Sequence, residues 1–233
     1  MPTHANALAI LAKAPVAGAV KTRLVPPLTH EQAAELYRAL LLDQFEHLRH
    51  IDGAERYVFY APADAENILR DMGGAAYAYL AQCGADLGAR MEQVCADLWR
   101  LGHRNIVLIG SDLPALPAAI LDDAFTQLAR AERRVVLGPS RDGGYYLVGM
   151  NQPTPEIFDN MTWSHDRVLA ETTARLSALA VPFGLLANWF DIDSIDDLRR
   201  WRDQNDAASW QSMARTREYL ERLSDLGCLD FRA

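Results

Sequence analysis

Cysteine is scarce in this chain. Cys83, Cys95 and Cys228 are an odd, scattered set without a CxxC pair. This speaks against a disulfide framework and a cysteine zinc site, and points to a reducing, cytoplasmic address. Long apolar runs are absent too. No stretch approaches the roughly 20 residues that span a bilayer. The run from Ala7 to Ala12 is too short, and wrongly flanked, for a signal peptide. Cations are outnumbered: 23 Lys and Arg face 31 Asp and Glu, a net charge of −8. A nucleic-acid partner needs a basic face, so none is expected. There is no GxSxG motif and no Cys beside a His, so nucleophilic hydrolase chemistry has no support. His47 and His50 lie one helical turn apart with no third ligand near, and a surface pair is the simpler reading.

What is present is ordinary globular composition, half hydrophobic and 23% charged over 233 residues. That length can close a sizeable core. Strand-like and helix-like segments alternate from end to end, the pattern of an α/β sheet flanked by helices. Strands are expected at Leu8–Ala12, Tyr57–Ala61, Ala76–Ala81, Ile106–Ile109, Val135–Gly138, Tyr145–Met150 and Phe183–Ala187. Ile106–Ile109 is uninterrupted and aliphatic, which suits the centre of a parallel sheet. Thr29 and Gln32 form a capping-box pattern before a helix with Ala33, Tyr37, Leu40, Leu41 and Leu48 on its apolar face. Further helices are expected over Ala63–Met72, from Leu87 to Leu98, over Ala118–Ala131, and after Ser164 as a cap. Ser194 and Asp197 would cap the next one, and an amphipathic helix is expected over 209–226. Asp142-Gly143-Gly144 reads as a hairpin turn and makes the sheet mixed. No linker divides the chain, so one domain is expected over residues 1–233, with the last helix an appendage.

Five clusters carry candidate chemistry. In open α/β sheets ligands bind outside the carboxyl ends of the strands. The loop after the first strand holds Lys13, Gly18, Lys21 and Arg23, cations suited to phosphate oxygens beside a glycine that lets backbone approach. Without a ligand it is a solvated loop. Asp112, after Ser111 at the end of the central strand, offers an oxygen to Mg²⁺ or Mn²⁺, or merely caps a turn. Asp191 and Asp193 are two apart, so in extended chain they face one side and could join the same metal site. Gln82, Gly84 and Arg90 lie at a helix entry where a nucleotide base, ribose or phosphate could be read; an ordinary glycine-rich entry fits equally. Asp142 could act as a general base toward an acceptor hydroxyl, with Gly143, Gly144, Tyr145, Trp163 and Ser164 shaping the acceptor wall. The plain alternative there is a hairpin tip.

The ordered segments AKAPVAGAVKTRL, DLGARM, VLIGSDLPAL, VVLGPSRDGGYYLVGM, WS and FDIDSIDDL resemble one bacterial family of glycosyltransferase A-type proteins, as far as about Trp201. Its members are small cytoplasmic proteins described as candidate glycosyltransferases. Some carry an arsenosugar-biosynthesis label, and others are associated with radical-SAM and selenium genes. The same motif order looks like that of small guanylyltransferases acting on phospholactate or the molybdenum cofactor. The resemblance implies a nucleotide-diphospho-sugar transferase fold. It also implies phosphate binding by Lys13, Gly18, Lys21 and Arg23, and a metal on Asp112 and Asp193 with Asp191 beside them. The chain lacks the Gly-Gly-x-Ser-x-Arg-Met loop of the molybdenum-cofactor type and has Ser-Asp where many glycosyltransferases have Asp-x-Asp. Following the family it resembles, the expected reaction is metal-dependent glycosyl transfer from a nucleotide sugar to a small acceptor. The alternative is nucleotidyl transfer from an NTP to a phosphorylated acceptor. A non-catalytic nucleotide-binding module ranks last, because Asp112, Asp142 and Asp193 are all present.

Overall fold

The structure, a computed structural model, describes residues 3–203 and 211–229. Its organising strand is β1 (Asn6–Lys13), in which Ala7, Leu8, Ala9 and Ile10 are wholly buried. Strand side chains alternate between faces. Leu8, Ile10 and Ala12 therefore enter one apolar layer, and Ala7 and Ala9 the other. A strand covered on both sides must be apolar where it is covered, as this one is from Ala7 to Ala12. β1 pairs in parallel with β2 (Glu55–Ala61), and β2 with β3 (Ala78–Ala81). On its other side β1 pairs in parallel with β4 (Asn105–Gly110).

Beyond β4 the direction changes. β6 (Tyr145–Met150) runs antiparallel both to β4 and to β5 (Val135–Pro139). β7 (Phe183–Leu185) closes the edge in parallel with β5. The seven strands lie in the order β3-β2-β1-β4-β6-β5-β7, the expected mixed and mainly parallel sheet. Helices α1 (His30–Leu48), α2 (Glu66–Gly73) and α4 (Ala118–Ala129) contribute to the layer that receives Leu8 and Ile10. Helices α3 (Leu87–Leu101) and α5 (Val168–Ala178) cover the opposite face.

The Thr29–Gln32 capping box is realised. Thr29 Oγ1 accepts the Gln32 N–H at 3.2 Å, and Gln32 Oε1 accepts the Thr29 N–H at 2.9 Å. Two donors that a helix start leaves open are thereby satisfied. Two later helices, α6 (Ile195–Asp203) and α7 (Ala214–Asp225), join α1 in a third apolar cluster built on Leu36, Leu40, Leu198, Trp201, Leu220 and Leu223. Asp43 of α1, 2% exposed, fastens α7. Its carboxylate accepts the Thr216 N–H and hydroxyl, each at 2.8 Å, and the Arg215 N–H and guanidinium, each at 3.2 Å. The positive start of one helix is thus satisfied by an acid from another.

Three expectations need correction. The helix expected from Ala63 begins at Glu66, because Ala65 N–H first closes a turn onto the Pro62 carbonyl at 3.0 Å. Ser164 is no helix cap: its backbone is left-handed, with φ 66°, and α5 begins at Val168. The segment before α5 is held to the hairpin tip instead, where Gly143 O accepts the Leu169 N–H at 2.9 Å. The last helix starts at Ala214, after a break at Met213 with ψ 57°. Positions 209 and 210 of the expected range lie outside the described residues. No helix among the described residues is long and apolar enough to cross a membrane.

Candidate active site

The carboxyl ends of β1 and β4 open on the same rim of the sheet. Asp112 stands two residues past β4, and the segment after β7 crosses beside it, with Ile192 N–H bonded to Asp112 O at 3.1 Å. That backbone contact brings Asp191 and Asp193 up to Asp112. One carboxylate oxygen from each of the three lies within 4.8 Å of the others. Lys21 reaches the group from the loop after β1. Its backbone is left-handed, with φ 49°, at the entry to a 3-10 turn over Thr22–Leu24. Its Nζ bonds Asp112 Oδ2 at 2.7 Å and Asp193 Oδ1 at 2.8 Å, and its side chain is only 5% exposed. Arg23 meets the other oxygen of Asp193 at 3.5 Å and is largely exposed.

The electrostatics follow from this crowding. Burial pulls the Lys21 pKa down, but attraction to Asp112 and Asp193 wins and holds it above the ordinary lysine range. Burial pushes Asp193 up, yet Lys21 and Arg23 leave it below the usual carboxylate range. Asp191 has no such cation. Burial first, then the charges of Asp112, Asp193 and Asp142, raise it to about 7. A divalent cation on the trio would reverse that shift by favouring the ionised form.

A cavity of about 490 Å³ adjoins the trio. Leu87 and Met91 of α3, Tyr145, Trp163 and Val168 form its apolar wall, and Asp112, Asp142, Asp191 and Asp193 its polar one. Tyr145 and Trp163 meet edge to face, with ring centroids 6.3 Å apart. Gly88 admits Trp163, since a Cβ at that position would stand 3.0 Å from the indole. A second cavity of about 240 Å³ shares Arg23, Asp142, Asp191 and Asp193 with the first and adds Arg141 and Arg200. Arg200 carried no sequence signal. It sits one turn from Asp197, and that i,i+3 ion pair, at 2.9 Å, reads as an ordinary helix-surface contact.

The structure brings Lys21, Arg23, Asp112, Asp142, Asp191 and Asp193 together, along with Gly144, Tyr145, Trp163 and Ser164. Others line neither cavity. Lys13 is exposed, and its backbone N–H donates to the Tyr37 hydroxyl at 3.2 Å. Gly18 is exposed, with φ 78°. Ser111 is buried, its hydroxyl 2.7 Å from that of Tyr37. Gln82 has its amide nitrogen engaged: it donates to the carbonyls of Ala12, at 3.1 Å, and Phe59, at 2.8 Å, tying the ends of β1 and β2. Those donors are taken, so they are not presented to a base. Gly84 and Arg90 build the entry to α3: Arg90 Nε bonds Gly84 O at 3.3 Å, and a Cβ at Gly84 would stand 2.6 Å from the Arg90 nitrogen. Asp86, not singled out from sequence, caps that helix by accepting the Ala89 N–H at 2.9 Å. Asp142 spends Oδ1 on the Gly144 N–H at 3.0 Å and is exposed. Gly143 lines neither cavity; it holds the hairpin tip against Asp166.

The fold recurs in a solved structure. A protein from Desulfovibrio desulfuricans G20, named as a candidate nucleotide-diphospho-sugar transferase, is similar with a TM-score of 0.88 and 28% identity, over 96% of this chain and 97% of that one. A cytidylyltransferase from Leptospira borgpetersenii shares the fold at a TM-score of 0.56 and 12% identity, over 99% of this chain and 98% of the other. A 4-diphosphocytidyl-2C-methyl-D-erythritol synthase does so at 0.54 and 12%, over 86% and 98%. The fold is that of the nucleotide-diphospho-sugar transferases. No curated protein matches the sequence. A family model does, over residues 44–165, more than half of the chain. The chain therefore belongs to that family, described as "Uncharacterized protein conserved in bacteria (DUF2064)".

Proposed function

We propose that the protein is a metal-dependent transferase that moves a sugar from a nucleotide sugar to a small acceptor, within one catalytic domain to which α7 is appended. The observation that carries this reading is the trio Asp112, Asp191 and Asp193 standing with Lys21 on the carboxyl rim of the sheet, beside a cavity of acceptor size. The likeness to the Desulfovibrio protein, by its name, supports it.

The donor set fits Mg²⁺ or Mn²⁺. Its ligands are hard carboxylate oxygens within 4.8 Å of one another, and a cation, the Lys21 ammonium, already rests on two of them. Bound there, such an ion supplies charge neutralisation for a departing diphosphate. Lys21 and Arg23 add positive charge where the phosphate oxygens develop theirs. Asp142, with Oδ1 held by Gly144, turns Oδ2 to an acceptor hydroxyl as general base. Tyr145 and Trp163 orient the acceptor and keep water from the apolar side. Lys13, Gly18, Gln82, Gly84, Arg90 and Ser111 remain the proposed nucleotide-facing rim, Gln82 acting through the backbone it holds and Ser111 through the Tyr37 hydroxyl that accepts the Lys13 N–H.

Nucleotidyl transfer is the second reading. The pairing of Lys21 and Arg23 beside the carboxylates favours it, because attack on an α-phosphate needs charge neutralisation more than a base. A thermal-shift panel separates the two, since a ligand of the native state raises Tm by mass action. A metal-dependent shift with nucleoside diphosphates and a sugar nucleotide is the expected result. A shift with one NTP and no sugar nucleotide would replace glycosyl by nucleotidyl transfer. No shift under any condition would overturn both. Asp112→Asn should lower turnover by about 100-fold or more while the fold is retained.

A further inference from the structure

We infer that Lys21 is the resident counter-ion of the carboxylate trio, exchanged for the divalent cation only when a nucleotide's phosphates draw its ammonium away. The inference rests on the metal reading above and concerns how that site is loaded. Three observations carry it. The Lys21 Nζ occupies one oxygen of Asp112 and one of Asp193, at 2.7 and 2.8 Å, and these are two of the three carboxylates that would hold a metal. The ammonium is almost wholly removed from water, so leaving it there unpaired would be costly, and it stays where its anions are. Its tether is short: the residue lies at the entry of a 3-10 turn in a left-handed backbone conformation, beside the exposed Arg23 at the mouth of the cavities.

A monovalent and a divalent cation pressed onto the same two carboxylates repel each other. In the free protein the lysine therefore opposes the metal. A nucleoside diphosphate offers the ammonium another set of anionic oxygens within the same loop. Metal and nucleotide then favour one another through the lysine, and the linkage is reciprocal. The loaded site gains the metal without losing the positive charge, which passes from carboxylates to phosphates.

The test is Mn²⁺ binding followed by electron paramagnetic resonance, with Tm recorded in parallel, on the full chain and on Lys21→Met. Without nucleotide, the variant is expected to bind Mn²⁺ at least about tenfold more tightly than the native protein. Its metal-free Tm should be lower and should recover when Mn²⁺ is added. With a nucleoside diphosphate present, Mn²⁺ affinity should rise more in the native protein than in the variant. Equal or weaker Mn²⁺ binding by Lys21→Met would overturn the counter-ion role while leaving the metal site standing. Mn²⁺ binding by neither protein would overturn the metal reading itself. Should Lys21→Met fail to fold, Lys21→Gln is measured in the same way, and the same outcomes decide.

Discussion

At the scale of single residues, acids in this protein are set apart by what donates to them. Glu55 is the plainest case. Burial pushes its pKa up, but hydrogen bonds from the Thr3 hydroxyl, the Tyr57 hydroxyl and the backbone N–H groups of Thr3 and His4 outweigh that and hold it near about 2, against 4.5 for a free glutamate. The folded pKa lies below the unfolded one. Its contribution to stability is therefore complete above about 4.5 and fades as pH falls toward 2. Glu55→Gln should cost about 1–2 kcal/mol at neutral pH. In urea unfolding at stepped pH, the gap from the native protein should close on the acid side. A gap independent of pH would mean that shape, not charge, is what Glu55 provides. Asp191, raised to about 7, goes the other way: burial first and then the charges of Asp112, Asp193 and Asp142 act on it, and the Ser140 hydroxyl, which donates to its side chain, stands at 3.5 Å. None of this was legible in the chain. A reader of sequence sees that Asp191 and Asp193 lie two apart; that Lys21 meets residues 91 and 172 positions away is decided by the sheet.

Elements were more legible where local chemistry decides them. The capping box at Thr29 and the Asp-Gly-Gly turn satisfy their own backbone, and the uninterrupted aliphatic run of β4 suits only a place between two neighbours, here β1 and β6, so the pattern and the outcome coincide. Ser164 misled because the segment before α5 answers to the hairpin tip, a tertiary demand. That demand is testable at two neighbouring glycines. Gly143 has φ 87°, and a Cβ there would lie 2.0 Å from the Asp166 carbonyl oxygen, a backbone atom that cannot swing away. Gly143→Ala should cost about 2 kcal/mol and release residues 163–168 from the tip, seen as faster tryptic cleavage at Arg167. Gly144→Ala meets only the Asp142 side chain, at 3.2 Å, and should be milder by more than half. Equal costs at both positions would show that the contact with Asp166 does not govern the tip. At Gln82 the sequence shows only a polar side chain at a helix entry; that its amide nitrogen serves the carbonyls of Ala12 and Phe59 is decided by the sheet.

At the scale of the whole molecule, three apolar clusters among the described residues divide the work: two sandwich the sheet and the third joins α1 to α6 and α7. The third depends on Asp43, whose carboxylate collects four donors from Arg215 and Thr216. Asp43→Ala would leave the Thr216 N–H and hydroxyl buried without acceptors, at a cost of about 2–4 kcal/mol. Hydrogen exchange should show α7 amides opening first while those of β1 and β4 stay protected. Uniform loss of protection would instead make α7 part of the same cooperative unit as the sheet. The mixed topology reaches further than stability. Because β6 runs against β4 and β5, its beginning rather than its end arrives at the rim where the carboxylates stand. The apolar wall of the larger cavity is therefore written partly in a hairpin tip and the segment behind it. The lysine and the three clustered acids are written in loops leaving other strands, while Asp142 sits in the tip itself. The two can diverge at different paces: a descendant that keeps Asp142 can rewrite the rest of its tip and change its clientele while inheriting its chemistry intact.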